Sequence, residues 1–114
     1  MKRLTPIVLL TVFLFFTGYS YAMAQNTGKK SMVLNGGNKG IVNFEHHMHQ
    51  AIAKDCAICH SLFPQTPGSL DQSKENGTIK AKQVMNTVCL KCHRDMKKAG
   101  EKFGPVSCSG CHTK

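Results

Sequence analysis

The chain has 114 residues, with 15 lysines and arginines against six acidic residues, a net charge of +9 and no tryptophan. Beyond residue 24, Leu, Ile, Val and Phe together make up about 18% of the chain, too little apolar surface for a polypeptide to fold unaided. That excludes a large domain built on its own hydrophobic core and requires a staple: disulfides, metal or a covalently held group.

The first segment reads as an export signal. Lys2 and Arg3 give a positive start, Ile7 to Phe16 is an apolar run broken only by Thr11, and Ala22-Met23-Ala24 is a small-x-small cleavage pattern. Residues 1–24 are therefore expected to be a signal peptide. The rival, a retained anchor, suffers because the run is short for spanning a bilayer. Both tyrosines leave with the signal, and the exported domain, 25–114, keeps a net charge of about +7.

Next come "SMVLN" and "GIVNF", two alternating stretches around the turn-rich "GGNK", which predict a short β-hairpin. The following "NFEHHMHQ" opens a helix over 46–54 and holds three of the six histidines. Residues 61–79, with two prolines, two glycines and many polar side chains, read as a surface loop, with Phe63 turned inward. A loop of that length in a small domain is usually functional or mobile. A second helix is expected over 80–98, because Met85, Cys89, Cys92, His93 and Met96 recur on one face. "GPVSCSGCHTK" is too short for much regular structure. The expected fold is a small domain cored by its staple, mainly α and irregular, with a short N-terminal β-hairpin and little regular secondary structure.

The six cysteines name the staple. They fall in three pairs, each followed by histidine: Cys56, Cys59 and His60; Cys89, Cys92 and His93; Cys108, Cys111 and His112. C-x-x-C-H is the attachment pattern of c-type haem. Two thiols three residues apart can bond to the vinyl groups of one porphyrin edge, and the next histidine then sits under the iron. Zinc ribbons and disulfides also use paired cysteines, but neither needs a histidine after the second one. A thioredoxin-like site needs a βαβ context that the sequence lacks. Three covalent haem c groups are expected.

Three irons present six axial positions, of which His60, His93 and His112 fill three. The crowded segment is the donor for the others. On a helix, His46 and His49 lie about 60° apart, while His47 points about 160° away from His49. Two haems meeting beside this turn can take His46 and His49, leaving His47 to face solvent or a propionate and Met48 to pack on a porphyrin.

The stretch Phe44-x-His46-x-x-His49-Gln50, followed by three C-x-x-C-H sites, resembles the class III cytochromes c, in particular the triheme cytochrome c7 branch of the cytochrome c3 superfamily. The resemblance covers residues 31–114 and implies that His46 pairs with His60 and His49 with His93. It also implies a third distal histidine four residues before the middle C-x-x-C-H, serving the last haem. This sequence has Met85 there. A thioether is a competent haem ligand that raises potential relative to histidine. Met85 is the expected sixth ligand opposite His112, with His47 and an open position as alternatives.

Such a chain is expected to be a periplasmic electron carrier of anaerobic respiration, a monomer without stable membrane insertion after signal cleavage. The basic residues between Lys80 and Lys102 would dock acidic redox partner proteins; an exported chain has no use for nucleic acid. The alternatives are a multihaem oxidoreductase with one open iron, at the haem of His112, and a redox or gas sensor. The haems would supply most of the core: each buries several hundred Å² of apolar surface, about 10 kcal/mol, comparable to a small domain's net stability.

Overall fold

Alternation of apolar and polar side chains sets up the first element. In the computed structural model, which describes residues 26–114, β1 (Met32–Asn35) pairs antiparallel with β2 (Ile41–Phe44). The register sets Met32 opposite Phe44 and Leu34 opposite Val42, so the four half-buried residues share one face. A 3-10 turn over Gly37–Lys39 joins the strands, and Asn35 Oδ1 accepts from the Gly37 amide at 2.8 Å. Gly40 re-enters the strand with φ 95° and ψ −163°, a region essentially confined to glycine. The expected signal peptide lies outside the described residues.

α1 (His46–Ala53) follows directly and ends where Lys54 turns left-handed at φ 60°. α2 (Ala57–His60) is a single turn that starts as Asp55 Oδ1 accepts from the Ala57 amide at 2.9 Å.

The expectation of an irregular loop over 61–79 is corrected in its middle, where Ser69–Glu75 form α3. Local hydrogen bonds hold this excursion together. Ser69 Oγ donates to the Pro64 carbonyl at 2.6 Å, and the Ile79 amide donates to the Ser73 carbonyl at 2.9 Å. Lys74 pairs with Asp71 and also donates to the Asn35 carbonyl at 2.8 Å, tying α3 to the hairpin. The helix went unread because its few apolar residues carry no helical period.

The second long helix also differs from expectation. Regular α structure, α4, covers Leu90–Lys98 and is preceded by a π-helical turn over Met85–Cys89. Gly100, with φ 73°, takes the left-handed position past its end, and the Glu101 amide reaches back to the Met96 carbonyl at 3.0 Å. The C-terminus is more ordered than its length suggested. Cys108–Cys111 form the turn α5, and His112–Thr113 form β3, which pairs antiparallel with β2. The result is a small, mainly helical and irregular domain with a three-stranded sheet of order β1-β2-β3.

The polypeptide packs almost no core of its own. Among the described residues Ile79, 3% exposed, is the one buried apolar side chain, and no large side chain is fully buried. Val33, Ile41, Met48, Ile52, Ile58 and Phe103 are all at least 43% exposed.

Candidate haem-binding site

Each C-x-x-C pair is wound into a single helical turn, which puts residues three apart on the same side. Cys56 and Cys59 flank and enter α2, Cys89 and Cys92 span the junction of the π turn with α4, and Cys108 and Cys111 bound α5. All six are free thiols. Burial pushes the Cys59, Cys89 and Cys111 thiols above their ordinary range, and neighbouring thiols add to the rise: Cys92 beside Cys59, and Cys59 and Cys111 beside Cys89. Among the described residues no group of three or more His, Cys, Asp or Glu side chains converges as a metal cluster, the arrangement a zinc ribbon needs.

The histidines sort into facing pairs. The His46 and His60 ring centroids are 6.3 Å apart, and those of His49 and His93 are also 6.3 Å apart. A metal–imidazole bond is about 2 Å long, so two imidazoles held across one iron have centroids about 6 Å apart. Both pairs therefore fit one iron each. The first pair has crossed planes, at 84°, and the second is inclined by only 36°.

Ring nitrogens are committed in the same sense. Nδ1 of His46 donates to the Lys29 carbonyl at 3.0 Å, that of His49 to Glu45 at 2.8 Å, that of His60 to Phe63 at 3.3 Å and that of His93 to Pro105 at 2.7 Å. With the proton on Nδ1, each Nε2 keeps a lone pair for a metal, the usual arrangement of a ligating histidine. His47 does the opposite. Its Nε2 bonds the Gly28 carbonyl at 3.2 Å, so it is half-buried and engaged rather than turned to solvent or a propionate. His112 differs again: its Nδ1 is buried with no partner, and among the described residues no imidazole faces it at the spacing of the other pairs.

Packing holds the rings in place. Phe44 stacks against His49 with centroids 4.3 Å apart, and Phe63 meets His60 at 5.0 Å, edge to face. A Cβ on Gly104 would collide with the His93 ring, and one on Gly36 with the His112 ring. Neither these glycines nor the carbonyl acceptors were legible in the sequence, although the Gly104-Pro105 pair marks a sharp path back past α4. A cavity of ≈ 260 Å³ separates Ile58 of the first motif from Thr87, Val88, Cys92 and Met96 of the second. Met48 is 54% exposed, and Met85 is half-buried at the start of the π turn.

The model of the family of cytochrome c7 and related cytochrome c matches residues 42–113. The chain is 33% identical over 89 residues to the 26 kDa cytochrome c3 of Desulfomicrobium norvegicum, covering 65% of this chain and 78% of that protein. It is 33% identical over 78 residues to the high-molecular-weight cytochrome c of Nitratidesulfovibrio vulgaris, covering 62% of this chain but spanning only 14% of that longer protein. Two solved structures from Geobacter sulfurreducens are similar over 75% of this chain and all of their own. They are PpcB, a cytochrome c7, at 31% identity and TM-score 0.51, and the triheme cytochrome PpcA, at 29% and 0.52.

Proposed function

The chain belongs to the cytochrome c7 family, a family of multihaem electron carriers, and from that premise we propose that it is a periplasmic carrier with three covalent haem c groups. The observation that carries this reading is the pair of facing imidazole couples at 6.3 Å with Nδ1 committed to carbonyls. Haem iron so ligated supplies one-electron chemistry without an open position for substrate. In this assignment Cys56 and Cys59, Cys89 and Cys92, and Cys108 and Cys111 hold the porphyrins. His60 with His46 and His93 with His49 hold two irons.

The chain's residues then do three things. Paired imidazoles keep those two potentials low, since neither site has a methionine to raise it. Short helical turns set the two cysteines of each motif on one side. The exposed Lys80, Lys82, Lys97, Lys98 and Lys102 present positive charge to acidic redox partners, where complementarity speeds encounter. The place of such a carrier is anaerobic respiration, between a membrane donor and a terminal reductase.

The third iron takes His112 and, on this proposal, Met85. One residue taken up in a π turn sets the preceding helical face back by about 100°, so Met85 comes to within about 20° of the His93 direction instead of about 80°. Met85 would thereby share the side of His93, which would already hold the middle iron, leaving its thioether to serve another haem. The rival reading, a reductase with an open third iron, is favoured by the lack of an imidazole opposite His112.

The test is maturation of the full chain in cells carrying a haem-attachment system. The expected product is a periplasmic protein whose intact mass includes three haems and which takes up three electrons on titration. Fewer haems, or none, overturns the reading.

A further inference from the structure

Four side-chain bonds and one backbone bond fasten the segment before β1 to α1. The His47 amide donates to the Lys30 carbonyl at 3.1 Å. His46 Nδ1 donates to Lys29 at 3.0 Å and His47 Nε2 to Gly28 at 3.2 Å. Gln50 Nε2 donates to the Thr27 carbonyl at 2.9 Å and approaches its Oγ1 at 3.2 Å. Gly28 adopts φ +74°, and a Cβ there would already touch His46 Cε1 at 3.4 Å. The segment therefore lies across the edge of the His46 ring, with its carbonyls pointed at the helix.

We propose that residues 27–30 are a strap that sets the tautomer and the ring plane of His46, with His47 and Gln50 as the positioning residues that hold it down. This rests on the haem reading of the paired histidines. His46 can present Nε2 to an iron only while Nδ1 carries the proton, and the Lys29 carbonyl is what keeps the proton there. The same bond fixes rotation of the ring about its metal axis, because an imidazole that turns loses its in-plane acceptor. His47 is the clamp: its Nε2, the nitrogen a haem ligand uses, is already engaged with the strap. The consequence is an asymmetry between two irons of the same donor set. Crossed imidazole planes, 84° in the first pair, leave the two π-type d orbitals of a ferric iron nearly degenerate, whereas the 36° pair splits them.

Low-temperature electron paramagnetic resonance of the ferric, three-haem protein reads this directly. The expected wild-type spectrum contains one low-spin feature at extreme low field, from the crossed pair, beside an ordinary rhombic signal. In His47→Ala and in Gln50→Ala, the extreme feature shifts toward the rhombic position. The midpoint potential of that haem alone rises, because an imidazole whose N–H loses its acceptor is a weaker donor. His47→Gln, which keeps an N–H for the Gly28 carbonyl, restores both. Should His47→Ala fail to mature, Gln50→Ala carries the same expectation by itself. An extreme feature that stays put in Gln50→Ala with all haems attached overturns the strap. So does a high-spin, carbon monoxide-binding iron in His47→Ala, which would make His47 a ligand. A wild-type protein without haem mass would instead overturn the cytochrome reading, before any variant is made.

Discussion

His49 and His93 face each other at 6.3 Å, one held by the Glu45 carbonyl at the start of α1 and the other by the Pro105 carbonyl beyond α4. Two segments more than forty residues apart thus meet through imidazoles rather than through apolar packing. His49→Ala is expected to leave the middle iron five-coordinate. The ferrous protein then binds one equivalent of carbon monoxide that the wild type does not bind at that haem. His49→Met should instead keep six-coordination and raise that single potential. A His49→Ala protein that gains no carbon monoxide site would contradict this pairing.

Gly104 lies against the same His93 ring. Adding a methyl in Gly104→Ala forces the imidazole or the backbone aside, with an expected loss of about 1–3 kcal/mol from overpacking. Chemical denaturation of the haem-loaded protein measures it. Gly104 is not among the glycines with positive φ, so the loss reports crowding against the ring rather than backbone strain.

With a single buried apolar residue among those described, the chain should not fold without its haems. Replacing all six cysteines by alanine is expected to give a protein lacking cooperative thermal unfolding and showing the exchange behaviour of a disordered chain. A native-like melting transition in that variant would refute the claim that the haems make the core.

Met85→Ala is expected to abolish a far-red sulfur-to-iron charge-transfer band and to open a carbon monoxide site at the third haem. Met85→His should keep the site closed and lower that one potential. An unchanged spectrum in Met85→Ala would give the third iron to another ligand or leave it open.

The exposed lysines around α4 predict salt-dependent partner exchange. Reduction of an acidic partner should slow as ionic strength rises, because screening shortens the reach of the attraction. Lys98→Glu is expected to lower the second-order rate severalfold at low salt and to match the wild type at high salt. Equal rates at low salt would leave Lys98 outside the docking face.

Motifs that act over short spans were legible from the sequence alone. C-x-x-C-H works within one helical turn, so three such motifs announce their cofactor whatever the rest of the chain does. The hairpin was legible for a similar reason, since alternation and a glycine-rich turn act locally, and so was α1, where the spacing of His46 and His49 put two donors on neighbouring faces. Tertiary structure decided what depends on long-range placement. Which carbonyl each Nδ1 meets, the docking of β3 on β2, the clearance at Gly36 and Gly104 and the engagement of His47 by the strap all join residues distant in sequence. The π turn at Met85–Cys89 and the helix at Ser69–Glu75 escaped for other reasons. The recurrence of Met85, Cys89 and Cys92 on one face reads as continuous α-helix and says nothing of one extra residue in a turn, while Ser69–Glu75 has no apolar period to betray it, because in this molecule the hydrophobic interior is expected to come from the porphyrins.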